Sequence, residues 1–257
     1  MKKIISILII VFISANTFAQ TNMIIRKSDQ STITVPISKI DSVYYENKVT
    51  DYDGNTYNTV QIGTQVWMAE NLKVTHYPHG DAIPLVIDNT AWKNLESNST
   101  ADAYCFYNNN NTTNYGALYT YAAAIGDKWT RDLKENQGVC PDGWHLPTNT
   151  DWDVLNTYLG TNAGSKLAGN AALWKGTSSS LEQSADFGTS GFSALPSGYR
   201  YYLYGKFTSL GTFTHWWSAT QLDYSKAYNR YLNYNNTDIN SYNKGKSSGY
   251  SVRCIRD

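Results

Sequence analysis

The sequence predicts an α+β fold of short antiparallel strands and two or three short helices, preceded by a small β-rich segment. Three observations carry that expectation. Two helical patterns lie mid-chain, over 116–125 and 148–160. Short strand patterns broken by polar turns fill the chain from Gly191 onward. Long polar loops separate the two groups, and helices followed by a run of strands is the pattern of segregated layers.

The N-terminus comes first. Lys2 and Lys3 precede an almost wholly apolar run from Ile4 to Ile13, and the stretch Ser14-Ala15-Asn16-Thr17-Phe18-Ala19-Gln20 follows. That order predicts a secretory signal peptide over residues 1–20, cleaved after Ala19 or Gln20. The apolar core is too short to span a bilayer, and no later run is long enough. The mature chain is therefore expected to be extracytoplasmic (secreted, periplasmic or at the cell surface) and without a membrane span. No Cys near the cleavage region offers a site for lipid modification.

Residues 21–50 read as a short β-rich segment. Met23–Lys27 and Thr32–Val35 have strand character around the polar turn Ser28–Ser31, and a further strand is expected through Tyr44 and Tyr45. So few strands are marginal alone. The main domain is expected over 51–257. Asp53-Gly54-Asn55 signals a turn, and Thr56–Ile62, Gly63-Thr64 and Gln65–Ala69 form a hairpin pattern. Asp51, Asp53 and Asn55 superficially imitate a calcium loop, but Gly54 is misplaced for one and no Glu closes it. Residues 75–114 make a long polar loop, of the kind that is functional or loosely ordered. The Ala-rich run Gly116–Ile125 suits a short helix. A second helix has Thr148 as cap, Asp151 three positions on and Gly160 as stop, with Trp152, Leu155, Tyr158 and Leu159 as its apolar face. Strands are then expected at Tyr199–Tyr204, Phe213–Thr220, Ala227–Tyr234, Thr237–Tyr242 and Tyr250–Ile255.

Composition limits the function. Lys+Arg and Asp+Glu each number 21. A balance that even gives no electrostatic footprint for nucleic acid. With 257 residues, 41% of them hydrophobic, the chain has enough apolar material for one substantial core. The 21 Tyr and 8 Trp stand against 3 Met. With abundant Asn and Ser, they match the chemistry of recognition surfaces, although aromatic core and cross-strand packing is the commoner use. Cys105, Cys140 and Cys254 allow three pairings, with one thiol left over. A bridge from Cys140 to Cys254 would close a loop of 114 residues, worth roughly 4–5 kcal/mol on the chain-entropy account.

Six ordered blocks then place the chain. The central one is Cys140-Pro141-Asp142-Gly143-Trp144-His145-Leu146-Pro147-Thr148 with Asp151-Trp152 and Leu155. Before it come Gln61-Ile62-Gly63 with Val66 to Leu72, and Tyr104 to Tyr107 with Tyr115 to Tyr119. After it come Gly191 to Arg200, then Trp216 to Thr220, then Ser251 to Asp257. Together they resemble the Fibrobacter succinogenes major paralogous domain family over about residues 51–257. The resemblance implies an irregular α+β core related to C-type-lectin-like and formylglycine-generating-enzyme-like proteins. It further implies a Cys140–Cys254 disulfide, and Trp144, Trp152, Trp216 and Trp217 in the core. It implies no particular reaction.

The functional expectation is a non-catalytic binding or adhesion module that recognises a glycan or an extracellular protein. Tyr201, Tyr202, Tyr204, Tyr228 and Tyr234, flanked by Asn229 and Asn235, are the candidate ligand-binding residues. A structural subunit of a surface assembly is the alternative. An enzyme related to formylglycine-generating enzymes is a lesser one, because a close reactive cysteine pair near the C-terminus is missing. There is no nucleophile elbow, phosphate loop or zinc-helix motif, and Asp142 beside His145 is the only hint of acid–base chemistry. Four unclustered histidines argue against zinc, and His145 reads as a structural hydrogen-bonding residue. No cofactor is expected, and any sugar binding is expected to be calcium-independent.

Overall fold

The computed structural model describes residues 7–8, 22–27, 31–39, 48–126, 137–175 and 179–257. The leader expected over 1–20 lies outside the described residues except for 7–8, as do the turn at 28–30 and the strand through Tyr44 and Tyr45. The chain divides into two compact units, 1–46 and 47–257. In the first, β1 (Ile7–Leu8), β2 (Asn22–Lys27) and β3 (Thr32–Pro36) make an antiparallel sheet in that order.

The second unit opens with β4 (Lys48–Thr50), β5 (Thr56–Ile62) and β6 (Gln65–Met68). The turn into β5 consumes its own acid. Asp51 accepts hydrogen bonds from Asn55 N (2.9 Å) and the Tyr57 hydroxyl (2.6 Å), as a local Asx turn does. The β5–β6 turn needs glycine at Gly63, where φ is +61° and a Cβ would sit 2.8 Å from the Tyr158 ring. The loop expected over 75–114 is partly structured. It contains α1 (Asn89–Asn94) and β7 (Tyr104–Phe106), and it is anchored by buried Trp92, whose indole donates to Ser247 O at 2.9 Å.

The Ala-rich run corrects the sequence reading. Its first part, β8 (Ala117–Tyr119), pairs with β7, and helix α2 occupies only Tyr121–Ile125. Thr120 makes the break, its extended backbone and hydroxyl capping α2 at Ala123 N. After β9 (Trp144–His145), α3 (Asn149–Leu159) has the full reciprocal capping box between Thr148 and Asp151, and it stops at Gly160. Trp152 and Leu155 are buried, but Tyr158 is not part of the core. It is 65% exposed and spreads its ring over Gly63 instead. Short helices α4 (Ala163–Leu167) and α5 (Ser180–Gln183) lead to the C-terminal strands.

These strands are β10 (Ser197–Arg200), β11 (Phe207–Leu210), β12 (Phe213–Gln221), β13 (Lys226–Asn233), β14 (Asn240–Gly245) and β15 (Ile255–Arg256). The expected strand Tyr199–Tyr204 therefore ends at Arg200, and 201–204 is a turn. The described strands of this unit form two five-stranded sheets and the β7–β8 pair. One sheet runs β4-β5-β6-β15-β9, placing the last strand between the opening hairpin and β9. The other runs β11-β10-β12-β13-β14; it is antiparallel but for one parallel bridge, Gly198 to Thr214. Mixed helices and mainly antiparallel sheets make this an α+β protein.

Strand β12 separates two cores, because neighbouring residues on a strand face opposite ways. Trp217 joins the cluster with Tyr119, Tyr121 and Tyr250, while Trp216 joins Trp67, Trp152 and Phe192. All four tryptophans expected in the core are buried. Cys140 and Cys254 are bonded, with Cα atoms 5.9 Å apart, and tie the 140–148 segment to the last strand.

Candidate functional site

Arg200 and Arg253 are fully buried in the second unit, and neither is paired with a carboxylate among the described residues. Arg200 is wholly buried. Its Nε donates to Gly205 O (2.7 Å), and Nη1 and Nη2 donate to Val86 O (2.6 Å), Ile87 O (2.9 Å) and Asp88 O (3.0 Å). The guanidinium lies between two rings, 4.4 Å from the Trp92 centroid and 4.7 Å from that of Phe207. Its five donors in a rigid fork let it hold the 201–205 turn and the 86–89 loop together. Gly205 completes the clamp. Its φ is +61°, and a Cβ there would fall 2.0 Å from Asn89 O.

That turn displays aromatics. Tyr201 touches Tyr202 (5.1 Å between centroids), Tyr204 (5.7 Å) and Tyr199 (6.4 Å). From Tyr199 the rings continue over the sheet face to His215 (4.7 Å), then to Tyr231 (5.1 Å) and Phe213 (6.0 Å). His215 is buried under this face and packed at 4.7 Å against Tyr250, with Nδ1 bonded to Asn229 Oδ1 at 3.1 Å. Burial pulls its pKa down to about 4, so the imidazole is neutral at ordinary pH.

Beside the tyrosine turn is a cleft of about 240 Å³. Its rings are Tyr202, packed over Gly245, and Tyr224, which is 78% exposed. Its polar groups include Glu96, Lys226, Lys246 and serines at 97, 99, 225 and 247. The β12–β13 turn that carries Tyr224 is held by Asp223, whose Oδ1 accepts from Ser225 N and Lys226 N, both at 2.8 Å. Lys246 reaches Gln221 Oε1 at 3.0 Å and lies over the Tyr121 ring; burial lowers its pKa. A neighbouring hollow shares Glu96 and Ser97 and adds Lys93.

The structure divides the residues singled out from sequence. Tyr201, Tyr202 and Tyr204 come together on one turn. Asn229 is a correction: it is fully buried, with Oδ1 on His215 and Nδ2 on Tyr242 O (3.2 Å), so both its polar atoms are used inside the sheet. By strand alternation Tyr228 falls on the opposite sheet face, the side where Arg230 reaches Asp153 of α3 (2.6 Å). Tyr234 packs against the Trp67–Trp152 cluster, and Asn235 is exposed in the β13–β14 turn. The sequence reading missed Tyr224, Glu96, Lys226 and Lys246, which meet Tyr202 only through folding. It also missed His215 and Tyr231, for which the alternation of β12 and β13 was the available signal.

Asp142 and His145 bond to different partners. Asp142 accepts from Gln137 Nε2 (3.0 Å), while His145 lies between Asp257 (2.8 Å) and Asp151 (3.5 Å) and fastens the last residue of β9 to the start of α3. Hydrogen bonding to Asp151, then to Asp257, raises its pKa against the effect of burial. Cys105 is buried beside Arg200, and burial pushes its thiol up to about 12. Among the described residues no group of three or more His, Cys, Asp or Glu side chains could hold a metal ion, and no helix is long and apolar enough to cross a membrane.

The family model described as the Fibrobacter succinogenes major domain matches residues 60–256. No curated protein and no solved structure matches the chain.

Proposed function

The chain belongs to the Fibrobacter succinogenes major domain family, and from that premise we propose that it is a non-catalytic glycan-binding module acting outside the cytoplasm. The observation that carries this reading is that Tyr202 and Tyr224 line one cleft together with serines, lysines, a glycine and one carboxylate. Aromatic faces suit the apolar faces of sugar rings, and the hydroxyl, amine and carboxylate groups suit sugar hydroxyls. The thiols support binding over cysteine-based oxidation. Two are locked in a disulfide, and the third is buried with its thiolate disfavoured. The signal-peptide pattern and the disulfide support the extracytoplasmic setting. The same reading makes the domain C-type-lectin-like, on the support of its opening hairpin and closing strand sharing one disulfide-tied sheet.

A glycan array probed with residues 47–257 tests the proposal, with Tyr202→Ala and Tyr224→Ala as variants. Saturable binding to at least one glycan, weakened tenfold or more by each variant at unchanged melting temperature, is the expected result. Saturable binding to no glycan, or binding indifferent to both variants, overturns it.

A further inference from the structure

The tyrosine turn borders a sheet face that is itself aromatic. Pairing register sets Tyr231 opposite His215 and Asn240, Asn233 opposite Phe213, and Tyr242 opposite Asn229, so these residues share one face of β12–β14. The other face buries Trp216 and Leu232 in the core and sends Arg230 to Asp153 of α3. On the aromatic face Tyr242 is 52% exposed, and Phe213 and Tyr231 are half-buried, so each ring keeps surface toward solvent. Ring contacts run unbroken from the cleft onto this face. Tyr202, in the cleft lining, touches Tyr201, and Tyr201 touches Tyr199. Tyr199 abuts His215, which packs on Tyr231 and Phe213. The face is nearly uncharged: strands β10 to β14 contain no Asp or Glu, burial keeps His215 neutral, and Lys244 lies over the Tyr242 ring.

Resting on the glycan reading above, we infer that this face is a further subsite for the same ligand, so that an oligosaccharide with one end in the cleft runs on past Tyr201 and Tyr199 over Phe213, Tyr231 and Tyr242. A saccharide chain repeats C–H faces and hydroxyls along its length, and tyrosine answers both, with a ring for the first and a phenol for the second. Permanent protein contacts resemble a domain core and draw on aliphatic side chains. Register places none at these positions. Subsites in series make affinity grow with chain length, because a unit tethered to one already bound meets its contacts at high effective concentration.

Titration calorimetry of the chain from residue 21 onward, with neutral cello-, xylo-, laminari- and chito-oligosaccharides from dimer to hexamer, tests this. In at least one series the hexamer should bind about tenfold or more tightly than the shortest member that binds. Tyr242→Ala, at an exposed ring, should remove most of that gain while leaving the shortest binder within about twofold. Tyr231→Leu, which keeps the bulk of a half-buried side chain, should do the same at unchanged melting temperature. Tyr224→Ala, in the cleft, should weaken short and long members alike. Equal binding of all lengths, a gain that neither sheet variant touches, or sheet variants that weaken short and long members equally overturns the inference and leaves the glycan reading standing. No saturable binding in any series overturns the inference too, and the array result then decides the broader reading separately.

Discussion

Arg253 donates from both Nε and Nη2 to a single oxygen, Oδ1 of Asn71, at 3.0 and 2.8 Å. The same oxygen takes the indole N–H of Trp216 at 2.9 Å. Both residues are buried, and Arg253 completes its bonding with Met68 O and Phe192 O while lying 4.3 Å from the Phe192 ring centroid. A neutral amide thus organises a buried cation. The Asn71 amide nitrogen extends the link to Tyr115 O (3.0 Å) and Ser251 Oγ (3.2 Å), so one side chain joins four distant stretches of chain.

Asn71→Ala should accordingly be among the most damaging single changes. It strips a buried guanidinium and a buried indole of their common acceptor, a loss of roughly 3–5 kcal/mol. Urea denaturation measures it, and a loss below about 1 kcal/mol would show that the hub is not energetically central.

Replacing Cys140 and Cys254 together by serine should lower stability by roughly 4–5 kcal/mol, because the bond closes a loop of 114 residues. Cys105 should resist alkylation in the native protein at pH 8, since it is buried and that burial pushes its thiol up to about 12. Rapid labelling without denaturant would contradict its placement.

Two histidines should bend the pH dependence of stability in opposite senses. The folded pKa of His215 is depressed to about 4 from 6.5. Its contribution is complete above 6.5 and is lost as pH falls toward 4, by roughly 3 kcal/mol at most. The folded pKa of His145 is raised by Asp151 and Asp257, so its contribution is complete below 6.5 and is lost as pH rises through the raised value. Imidazole resonances followed by NMR should show one group titrating far below the ordinary range and one above it. Asp257→Asn should move the latter down.

Arg200→Lys should destabilise the protein and loosen the tyrosine turn, although the charge is kept. A single ammonium cannot reproduce donation to Gly205, Val86, Ile87 and Asp88 together, nor the stack between Trp92 and Phe207. A drop of roughly 2–4 kcal/mol is expected. Faster hydrogen exchange at 86–89 and 201–205 than elsewhere would locate it, and uniform exchange would argue against a local clamp.

Short-range features were legible because their physics is short-range. The Asp51–Asn55 turn, the β5–β6 hairpin and the Thr148–Asp151 capping box each depend on residues a few positions apart, and the sequence by itself determined them. Strand positions were legible too, but the ends of β10 and β14 were not, since pairing with β11 and β13 sets where extension stops. Tyr201, Tyr202 and Tyr204 share a turn, and Asn229 lies buried, for a reason composition cannot express: register decides which face each residue takes. The burial of Arg200 and Arg253 had no local signal, because Val86 O, which takes a bond from Arg200, and Met68 O, which takes one from Arg253, are brought in from more than a hundred residues away. The cleft belongs to the same category. Only the tertiary structure brought Tyr202, Tyr224, Glu96, Lys226 and Lys246 to the lining of one cleft, because they come from elements that local patterning does not order relative to one another.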